Sequence, residues 1–397
     1  MQSSFTAKAA LSAALLVLVG CGGGGGGGTS SGGGESTGLG TLRVSLTDAP
    51  SCGYAEVNVT VLAVRVHQSS SAADDDAGWQ EVTLPLPRRI DLLALTNGVR
   101  EELGQVALPA GKYTQMRLVL ADNGSGPPPY ANSVTPLGGA ETVLDTPSGQ
   151  QSGLKMNVDV DVPADKVADF VIDFDACKSV VRRGNSGKYN LKPVLSGMVV
   201  LSDAGLRVVG YVDAAIAGAG TSVSIQSGGV PVKTTVPDPS GQFVLYPVPV
   251  GSYDLVVTAA SHVTAVMTGV PVVDTAYTYV GSPTLRIAPP AATTRVVTGS
   301  VAPSSASVRA LQTLGGGPTV EIAWTAADAD TGAFGFALPI EAPIRTAYSV
   351  PLPAAYTFVA DAAAAGKYTL EAESGGALMT QAIDVSTAVP PVTFVFP

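Results

Sequence analysis

The chain's two histidines are its first candidates for chemistry, because histidine is the side chain that most often serves as a general base or a zinc ligand. The chain contains only His67 and His262, in separate parts of the sequence. A Ser-His-Asp triad needs one of them beside an acid and a nucleophile, and catalytic zinc usually takes three protein ligands. No H-x-x-x-H or H-E-x-x-H pattern is present. We therefore interpret His67, next to an acidic loop, as a surface histidine, and we expect a protein that is not an enzyme.

Aspartates are the other residues that could do chemistry. Asp74, Asp75 and Asp76 are consecutive, and Ca²⁺ prefers several carboxylate and carbonyl oxygens in one loop. No twelve-residue EF-hand loop is present, so these three are weak calcium candidates, and we predict no metal and no cofactor. Acid–base pairs for glycoside cleavage remain open from carboxylate counts alone, but no carboxylate has a distinctive apolar setting. The other aspartate pairs are expected on the solvent face of strands (Asp159 and Asp161, Asp173 and Asp175) or in a β-turn (Asp328 and Asp330).

The first 40 residues predict export. Residues 1–20 carry one positive charge, Lys8, before an apolar run that is shorter than the roughly 20 residues of a membrane span. This is typical of a secretory signal peptide. The run ends in Leu-Val-Gly-Cys at Cys21, which resembles a bacterial lipobox. That resemblance implies that Cys21 is acylated and becomes the first mature residue; the alternative is an ordinary signal peptide with a chance cysteine. Residues 21–40 are rich in glycine and serine and predict a flexible tether.

Two further cysteines, Cys52 and Cys177, remain after Cys21. An exported chain meets an oxidising compartment, so we predict that they form a disulfide. The alternative is a reactive thiol pair. It is disfavoured because the two cysteines lack C-x-x-C spacing and a neighbouring histidine.

The bulk composition indicates β structure and argues against nucleic acid as a partner. Hydrophobic residues make up 46% of the 397-residue chain and charged residues 14%, with a net charge of −10. No basic stripe offsets this charge, so nucleic-acid binding is disfavoured. Valine, threonine, alanine and glycine dominate while helical blocks of Glu, Lys, Leu and Arg are missing, which favours strands.

A glycine, a polar residue and a tyrosine recur four times before strand-like runs. In each copy the glycine is expected to take a positive φ in a tight turn. The tyrosine is expected to start the next strand, with its ring inward and its hydroxyl bonded to the backbone of the preceding loop. We interpret the motif as an architectural signal. Its four copies are Gly111 and Tyr113, Gly187 and Tyr189, Gly251 and Tyr253, and Gly366 and Tyr368.

Residues 41–203 form the first predicted domain, and six ordered motifs within it resemble a known family. They read VSLTDAP, IDLLALTNG, LPAGKYTQMRLVL, PSGQQSGLK, VIDFDACKSVV and KYNLKPVL. This order is similar to bacterial lipoproteins that carry domain of unknown function 4382. The resemblance implies a β-rich domain of exported bacterial proteins and carries over no catalytic residue.

Residues 206–288 resemble a second family, the carboxypeptidase regulatory-like domain, which is a prealbumin-like sandwich. The pattern D-x-x-G-x-F-x-L followed by P-x-G-x-Y-x-L runs from Asp238 to Leu255. Residues 293–397 are predicted to be a degenerate second copy, in which Asp328, Gly332 and Phe334 repeat the hairpin. Gly366 to Leu370 could repeat its end, or the stretch LPAAYTFVAD could be that strand.

These observations predict an all-β fold of tandem β-sandwich domains behind a signal peptide and a flexible tether. The expected function is that of a non-enzymatic, lipid-anchored protein of the cell envelope, with the outer membrane as the default location. Its expected partners are the membrane, through Cys21, and an envelope protein or polysaccharide. One alternative is a carbohydrate-binding surface lipoprotein, because Trp79, Tyr130 and Trp324 could stack on sugars. The other is a hydrolase with its site in the first domain.

Overall fold

The computed structural model describes residues 38–48, 53–147, 149, 152–201, 204–218 and 220–397. The predicted signal peptide, Cys21, most of the tether and Cys52 lie outside the described residues. Strands form nearly all the secondary structure, which confirms the all-β prediction. None of the helices in the described ranges has the length and apolarity that a membrane crossing requires.

The first sandwich packs a four-stranded sheet against an eight-stranded sheet around one hydrophobic core. The smaller sheet has the order β12-β9-β1-β4, with β1 (Leu39–Asp48), β4 (Glu101–Pro109), β9 (Val167–Phe174) and β12 (Leu195–Val200). The larger has the order β10-β11-β7-β6-β2-β5-β8, with β3 paired to β2. Its strands are β2 (Tyr54–His67), β3 (Gln80–Asp91), β5 (Gly111–Leu120), β6 (Ser133–Pro136), β7 (Thr142–Asp145), β8 (Leu154–Val162), β10 (Val180–Arg183) and β11 (Lys188–Leu191).

Short helical turns interrupt this sandwich, two of which lie fully within the described residues. A 3₁₀ turn, Leu92–Leu95, is capped by Asp91, which accepts a hydrogen bond from Leu93 N at 3.2 Å. Helix α1, Ala176–Ser179, follows β9. Strand β1 begins at Leu39, so the last two residues of the predicted tether belong to this strand. Position 40 requires glycine because a Cβ there would lie 2.3 Å from Pro163 O.

The second sandwich has a three-stranded and a six-stranded sheet. The smaller has the order β16-β13-β19, formed by β13 (Val208–Tyr211), β16 (Gln242–Leu245) and β19 (Thr278–Tyr279). The larger has the order β15-β14-β17-β18-β24-β25. Its strands are β14 (Thr221–Ser227), β15 (Val230–Thr235), β17 (Gly251–Ala259), β18 (Ala265–Val272), β24 (Ile344–Ala347) and β25 (Val359–Ala360).

The third sandwich repeats the strand order of the second. Its sheets have the orders β23-β20-β28 and β22-β21-β26-β27, and its two β20 pairings match those of β13, one antiparallel and one parallel. The degenerate second copy therefore has the same topology as the first. Its strands are β20 (Thr294–Ala302), β21 (Ser307–Thr313), β22 (Thr319–Ala326), β23 (Ala333–Pro339), β26 (Lys367–Ser374), β27 (Ala377–Asp384) and β28 (Val392–Val395).

One segment crosses between these two sandwiches. Residues 340–366, which we call the insert, follow β23 of the third sandwich, but their strands β24 and β25 belong to the sheet of the second. The stretch LPAAYTFVAD lies in this insert. The strand that corresponds to β17 is β26, which carries Tyr368.

The hairpin turns of the two sandwiches are built alike. Asp238 Oδ1 accepts hydrogen bonds from the backbone of Ser240 and Gln242, and Asp328 Oδ1 from that of Asp330 and Thr331. A Cβ at Gly241 would lie 2.3 Å from Val212 O, and one at Gly332 would lie 2.2 Å from Val301 O. Both glycines have positive φ, so conformation and close packing together require glycine at this turn.

The recurrent tyrosines anchor the ends of loops. Tyr113 donates to Pro109 O at 2.9 Å, Tyr253 to Pro249 O at 2.9 Å and Tyr368 to Pro339 O at 2.7 Å. The ring of Tyr189 packs edge-on against Tyr54, with 5.9 Å between centroids.

The expectation of a positive φ holds for three of the four glycines and is wrong at Gly251. Gly111, Gly187 and Gly366 have φ of 150°, 70° and 64°, whereas Gly251 does not have a positive φ. The reason for glycine there is space, because a Cβ would lie 2.9 Å from Cζ of Tyr253.

We expect Tyr253→Phe to lower the free energy of unfolding by about 1 kcal/mol, the value of one hydrogen bond. Tyr368→Phe should cost more, about 1–3 kcal/mol, because its hydroxyl lies in a buried environment where water cannot replace it. Urea denaturation of both variants and the parent measures the two losses. Equal stability of all three proteins would contradict the anchoring role.

Candidate functional site

The outer face of β9 is where the first sandwich meets the other two. The alternation of this strand points Val171, Asp173 and Asp175 away from the first core, and we predicted that both aspartates face solvent. That prediction is wrong for this pair. Val171 is 1% exposed and packs with Leu206 and Tyr246 of the second sandwich, so the outward face of β9 is an internal contact. Asp159 and Asp161, on β8, do lie at exposed positions.

Asp173 forms a buried ion pair with the second sandwich. Lys233 Nζ on β15 lies 2.5 Å from Asp173 Oδ2, and the lysine side chain is only 3% exposed. The same ammonium group donates to Asp48 O at 3.5 Å. A lysine that leaves water pays a large desolvation cost unless its partner is well placed, so this pair restricts how the two sandwiches can sit.

Asp175 starts a chain of charges that runs into the third sandwich. It caps α1 by accepting from Lys178 N at 2.9 Å. Lys178 Nζ lies 3.8 Å from Asp175 Oδ2 and 3.7 Å from Glu321 Oε1 on β22. Arg309 Nη1 on β21 lies 3.5 Å from the other oxygen of Glu321. Two carboxylates and two cations from the first and third sandwiches are thereby joined.

Burial makes both carboxyl groups harder to ionise. It raises the pKa of Asp175 and of Glu321; Asp173 raises the pKa of Asp175 further, and Asp175 raises that of Glu321. Lys178 lowers the pKa of both, and Arg309 also lowers that of Glu321, but burial is the larger effect in each case. The cations therefore compensate only part of the cost of holding these groups out of water.

Gln226 on β14 links the second and third sandwiches at the same point. Its side-chain amide donates to Glu321 O at 2.8 Å and accepts from Glu321 N at 2.8 Å. The amide thus satisfies both backbone groups of one residue, as a neighbouring strand would. Glu321 is therefore fixed through both its main chain and its carboxylate.

A cleft of about 370 Å³ opens above this cluster. Asp175, Lys178 and Glu321 lie among its walls, with Arg182 at its rim on β10. Burial raises the pKa of Tyr54 to about 12, so its phenol stays neutral. Lys178 Nζ lies 5.8 Å from the ring centroid of Trp324, which is half-buried. The remaining lining is rich in hydroxyl groups: Ser222, Ser224, Thr234, Thr258 and Thr325.

Cys177, in α1, is half-buried and also lines this cleft. Its predicted partner Cys52 lies outside the described residues, so the pairing of the two stays a prediction.

His67, the predicted surface histidine, and His262 both form hydrogen bonds with nearby main chain. His67 Nδ1 accepts from Ser69 N at 2.8 Å, so its Nε2 carries the proton and donates to Ala77 O at 3.0 Å. Its ring lies 5.1 Å from that of Trp79. His262 also contacts the main chain, but here Nδ1 donates, to Ala260 O at 2.8 Å.

Two aspartates of the acidic loop make structural contacts. Asp74 pairs with Arg117, and Asp76 accepts from Ala73 N at 2.8 Å. No group of three potential metal ligands occurs anywhere within the described ranges, Asp75 included. Trp79 lies near two guanidinium groups, since those of Arg65 and Arg117 are each 4.7 Å from its ring centroid.

The cleft can hold a small polar ligand. An aromatic face, several hydroxyl groups and balanced charges offer stacking, hydrogen bonds and ion pairs in one concavity. Trp324 was predicted from the sequence as a residue that could stack on a ligand, whereas the carboxylate pair, Lys178 and Gln226 were not predicted. These residues come from three separate segments with no shared local motif, so the only available signal was the polar residues on the outward face of β9.

Comparison with known proteins supports the first sandwich alone. Residues 39–193 match the family model described as domain of unknown function (DUF4382). This segment carries that domain. The resemblance that the six motifs indicated is therefore confirmed for the DUF4382 region, while the match stops before the second and third sandwiches. None of the curated proteins compared with the chain matches it.

Two solved structures show a weak likeness. They are an N-terminal and a C-terminal interface mutant of a type II cohesin–X-dockerin complex from Acetivibrio cellulolyticus, 24% and 23% identical over 22% of the chain. The match spans 60% of each of those chains, with a TM-score of 0.19. A likeness this distant carries no argument about the cleft.

We expect Glu321→Gln to remove a pH-dependent loss of stability. A raised pKa means that the folded state binds the proton more tightly, so the contribution of Glu321 is fully present below its ordinary pKa of 4.5. That contribution is lost as pH rises through the raised value. The melting temperature of the parent should therefore fall relative to that of Glu321→Gln between pH 4 and pH 7, as measured by circular dichroism.

Lys178→Met is the matched control for this experiment. Lys178 lowers the pKa of Glu321. The melting temperature of Lys178→Met should therefore fall more than that of the parent as pH rises. A parent that gains stability over Glu321→Gln as pH rises would show that the pKa of Glu321 is lowered, contrary to this account.

Proposed function

We propose that this protein is a non-enzymatic, lipid-anchored protein of the cell envelope that binds or scaffolds another envelope component. Cleavage before Cys21 would remove Lys8 and leave 21 basic and 32 acidic side chains. That charge is repelled by anionic headgroups, so the acyl chains on Cys21 would provide the attachment. Two or three chains suffice where one does not. With glycine after the cysteine, we place the anchor in the outer membrane.

The observation that carries the scaffold proposal is the interlocking of the three sandwiches. Ion pairs at Asp173 and Glu321, the Gln226 amide and the crossing insert tie each sandwich to a neighbour. This arrangement leaves few hinges at which the sandwiches could close around a substrate. It suits a protein that presents surfaces at fixed spacing, with residues 21–37 as the tether.

Two finer assignments belong to this proposal. We assign the second and third sandwiches to the carboxypeptidase regulatory-like, prealbumin-like family, on their shared strand order and hairpin chemistry. We also assign a disulfide between Cys52 and Cys177. Closing so long a loop would add on the order of 4 kcal/mol in the loop-entropy account.

The lipid anchor is tested by Cys21→Ser in a Gram-negative host. The parent should enter the membrane fraction and incorporate an alkyne-labelled palmitate, whereas the variant should be unlabelled and appear in the soluble periplasmic fraction. Cys177→Ser is the matched control and should keep the label. Labelling of Cys21→Ser, or no labelling of the parent, would reject the anchor.

The cleft favours a second candidate, a carbohydrate-binding surface lipoprotein. Sugar sites combine an aromatic face with several hydrogen-bonding groups. Trp324, Tyr54 and the surrounding hydroxyl groups supply this combination in one cavity of about 370 Å³.

Retention on insoluble polysaccharides and binding to a glycan array test the second candidate. Trp324→Ala should lose at least tenfold in affinity, because stacking on an aromatic ring is lost. Trp79→Ala is the matched control and should bind as the parent does, since it lies in a loop of the first sandwich. No retention of the parent rejects sugar binding. Release of reducing sugar by the parent would favour the other alternative, a hydrolase with its site in the first domain.

A further inference from the structure

The insert caps the open edge of β18. Strand β24 pairs with β18 in parallel, from Ala265 opposite Ile344 to Thr268 opposite Ala347. Ile344 N donates to Thr264 O at 2.8 Å, and Tyr348 N donates to Thr268 O at 2.9 Å. The even-numbered residues of β18 therefore direct their backbone groups toward the added strand.

The insert also closes the gap between the two sheets of the second sandwich. Ile344 is 9% exposed and belongs to the core, and Tyr348, Tyr356 and Phe358 pack against that core. Tyr356 donates to Val280 O, beside β19, at 2.5 Å. One extended segment thus provides both a strand and aromatic side chains that fill the gap between β18 and β19.

The corresponding edge of the third sandwich is open. Leu255 pairs with Met267 on β18, and Leu370 pairs with Gln381 on β27, so β27 occupies the place of β18. Within the described residues β27 pairs with β26 and with no other strand. It is exposed along almost its whole length, with Leu378 at 59% and Met379 at 36%.

A groove lies beside this open strand, at the place that the insert fills in the second sandwich. Its volume is about 380 Å³, and it runs between the end of β27 and the loop that leads to β28. Seven of its eleven lining residues are apolar: Ala382, Ile383, Ala388, Val389, Pro390, Pro391 and Val392. Open strand edges with apolar surroundings are the usual template for an added strand.

We propose that β27 and this groove, together the β27 edge, form a docking site for an extended segment donated by another protein. The segment adds a parallel strand to β27, as β24 does to β18, and places aromatic side chains in the groove. This inference depends on neither the lipid anchor nor the cleft. The insert of a second copy is a poor donor, because each copy already uses its own insert to cap β18.

The charges at the β27 edge describe the partner further. Glu373 lies opposite Leu378, and Asp384 ends β27. The segment that caps β18 reads Ile-Arg-Thr-Ala, followed by aromatic residues. We therefore assign the partner segment the same chemistry, namely an apolar residue, a basic residue and downstream tyrosine or phenylalanine.

A fluorescent peptide of residues 341–360 is the probe, titrated against the full mature chain and followed by anisotropy. Saturable binding is expected. Thr380 corresponds to Val266, so its N–H faces the open side, and Thr380→Pro removes that donor without breaking the β26 pairing. We expect Thr380→Pro to weaken binding at least tenfold, while Thr380→Ala, which keeps the amide, stays within about twofold.

Met379→Glu, which places a charge on the exposed strand β27, provides a second variant if Thr380→Pro unfolds; a melting curve checks each. No binding by the parent, or equal binding by folded Thr380→Pro or Met379→Glu, overturns the proposal. Concentration-dependent dimerisation of the parent that Thr380→Pro abolishes, without peptide binding, would make a second copy the occupant and also overturn it.

Discussion

The arrangement of the three sandwiches depends on a lysine that leaves water. Lys233 is almost fully buried against Asp173, and its ammonium group has few alternative partners once the second sandwich lies on β9. Buried ion pairs add little net stability, because desolvation of both charges offsets their attraction. Their effect is on geometry. A small displacement of the second sandwich would leave a buried charge without its partner, whereas the apolar contact at Val171 would tolerate the same displacement. Asp175, which lines the cleft, is only two residues from Asp173. The restriction at Asp173 therefore also limits the shape of the cleft.

The sequence predicts the fold well where the signals are local. The all-β class, the aspartate turns at Asp238 and Asp328 and the DUF4382 region all follow from alternation, turn chemistry or ordered motifs. These signals extend over a few residues, so they survive in a single sequence. The third sandwich is recognisable for the same reason, although its insert lengthened the distance between hairpin and tyrosine strand.

What could not be predicted depends on contacts between distant segments. Alternation shows that Asp173 and Asp175 face away from the first core, but it does not show whether water or protein lies on that side. The position of the insert is equally non-local, because Ile344 pairs with Ala265 although strands β19 to β23 lie between them in the sequence. Gly251 shows the same limit on a smaller scale, since the demand for glycine came from the Tyr253 ring.

The crossing insert has a consequence for how the chain matures. A polypeptide synthesised from its amino terminus presents β18 long before residues 344–360 emerge, so the second sandwich has an uncapped edge until part of the third has been made. Its completion is a late, non-vectorial event that couples the folding of two repeats. Chain lost after β23 would remove part of the third sandwich and, with it, the cover of an apolar edge nearly eighty residues upstream, where unpaired strands are prone to aggregate.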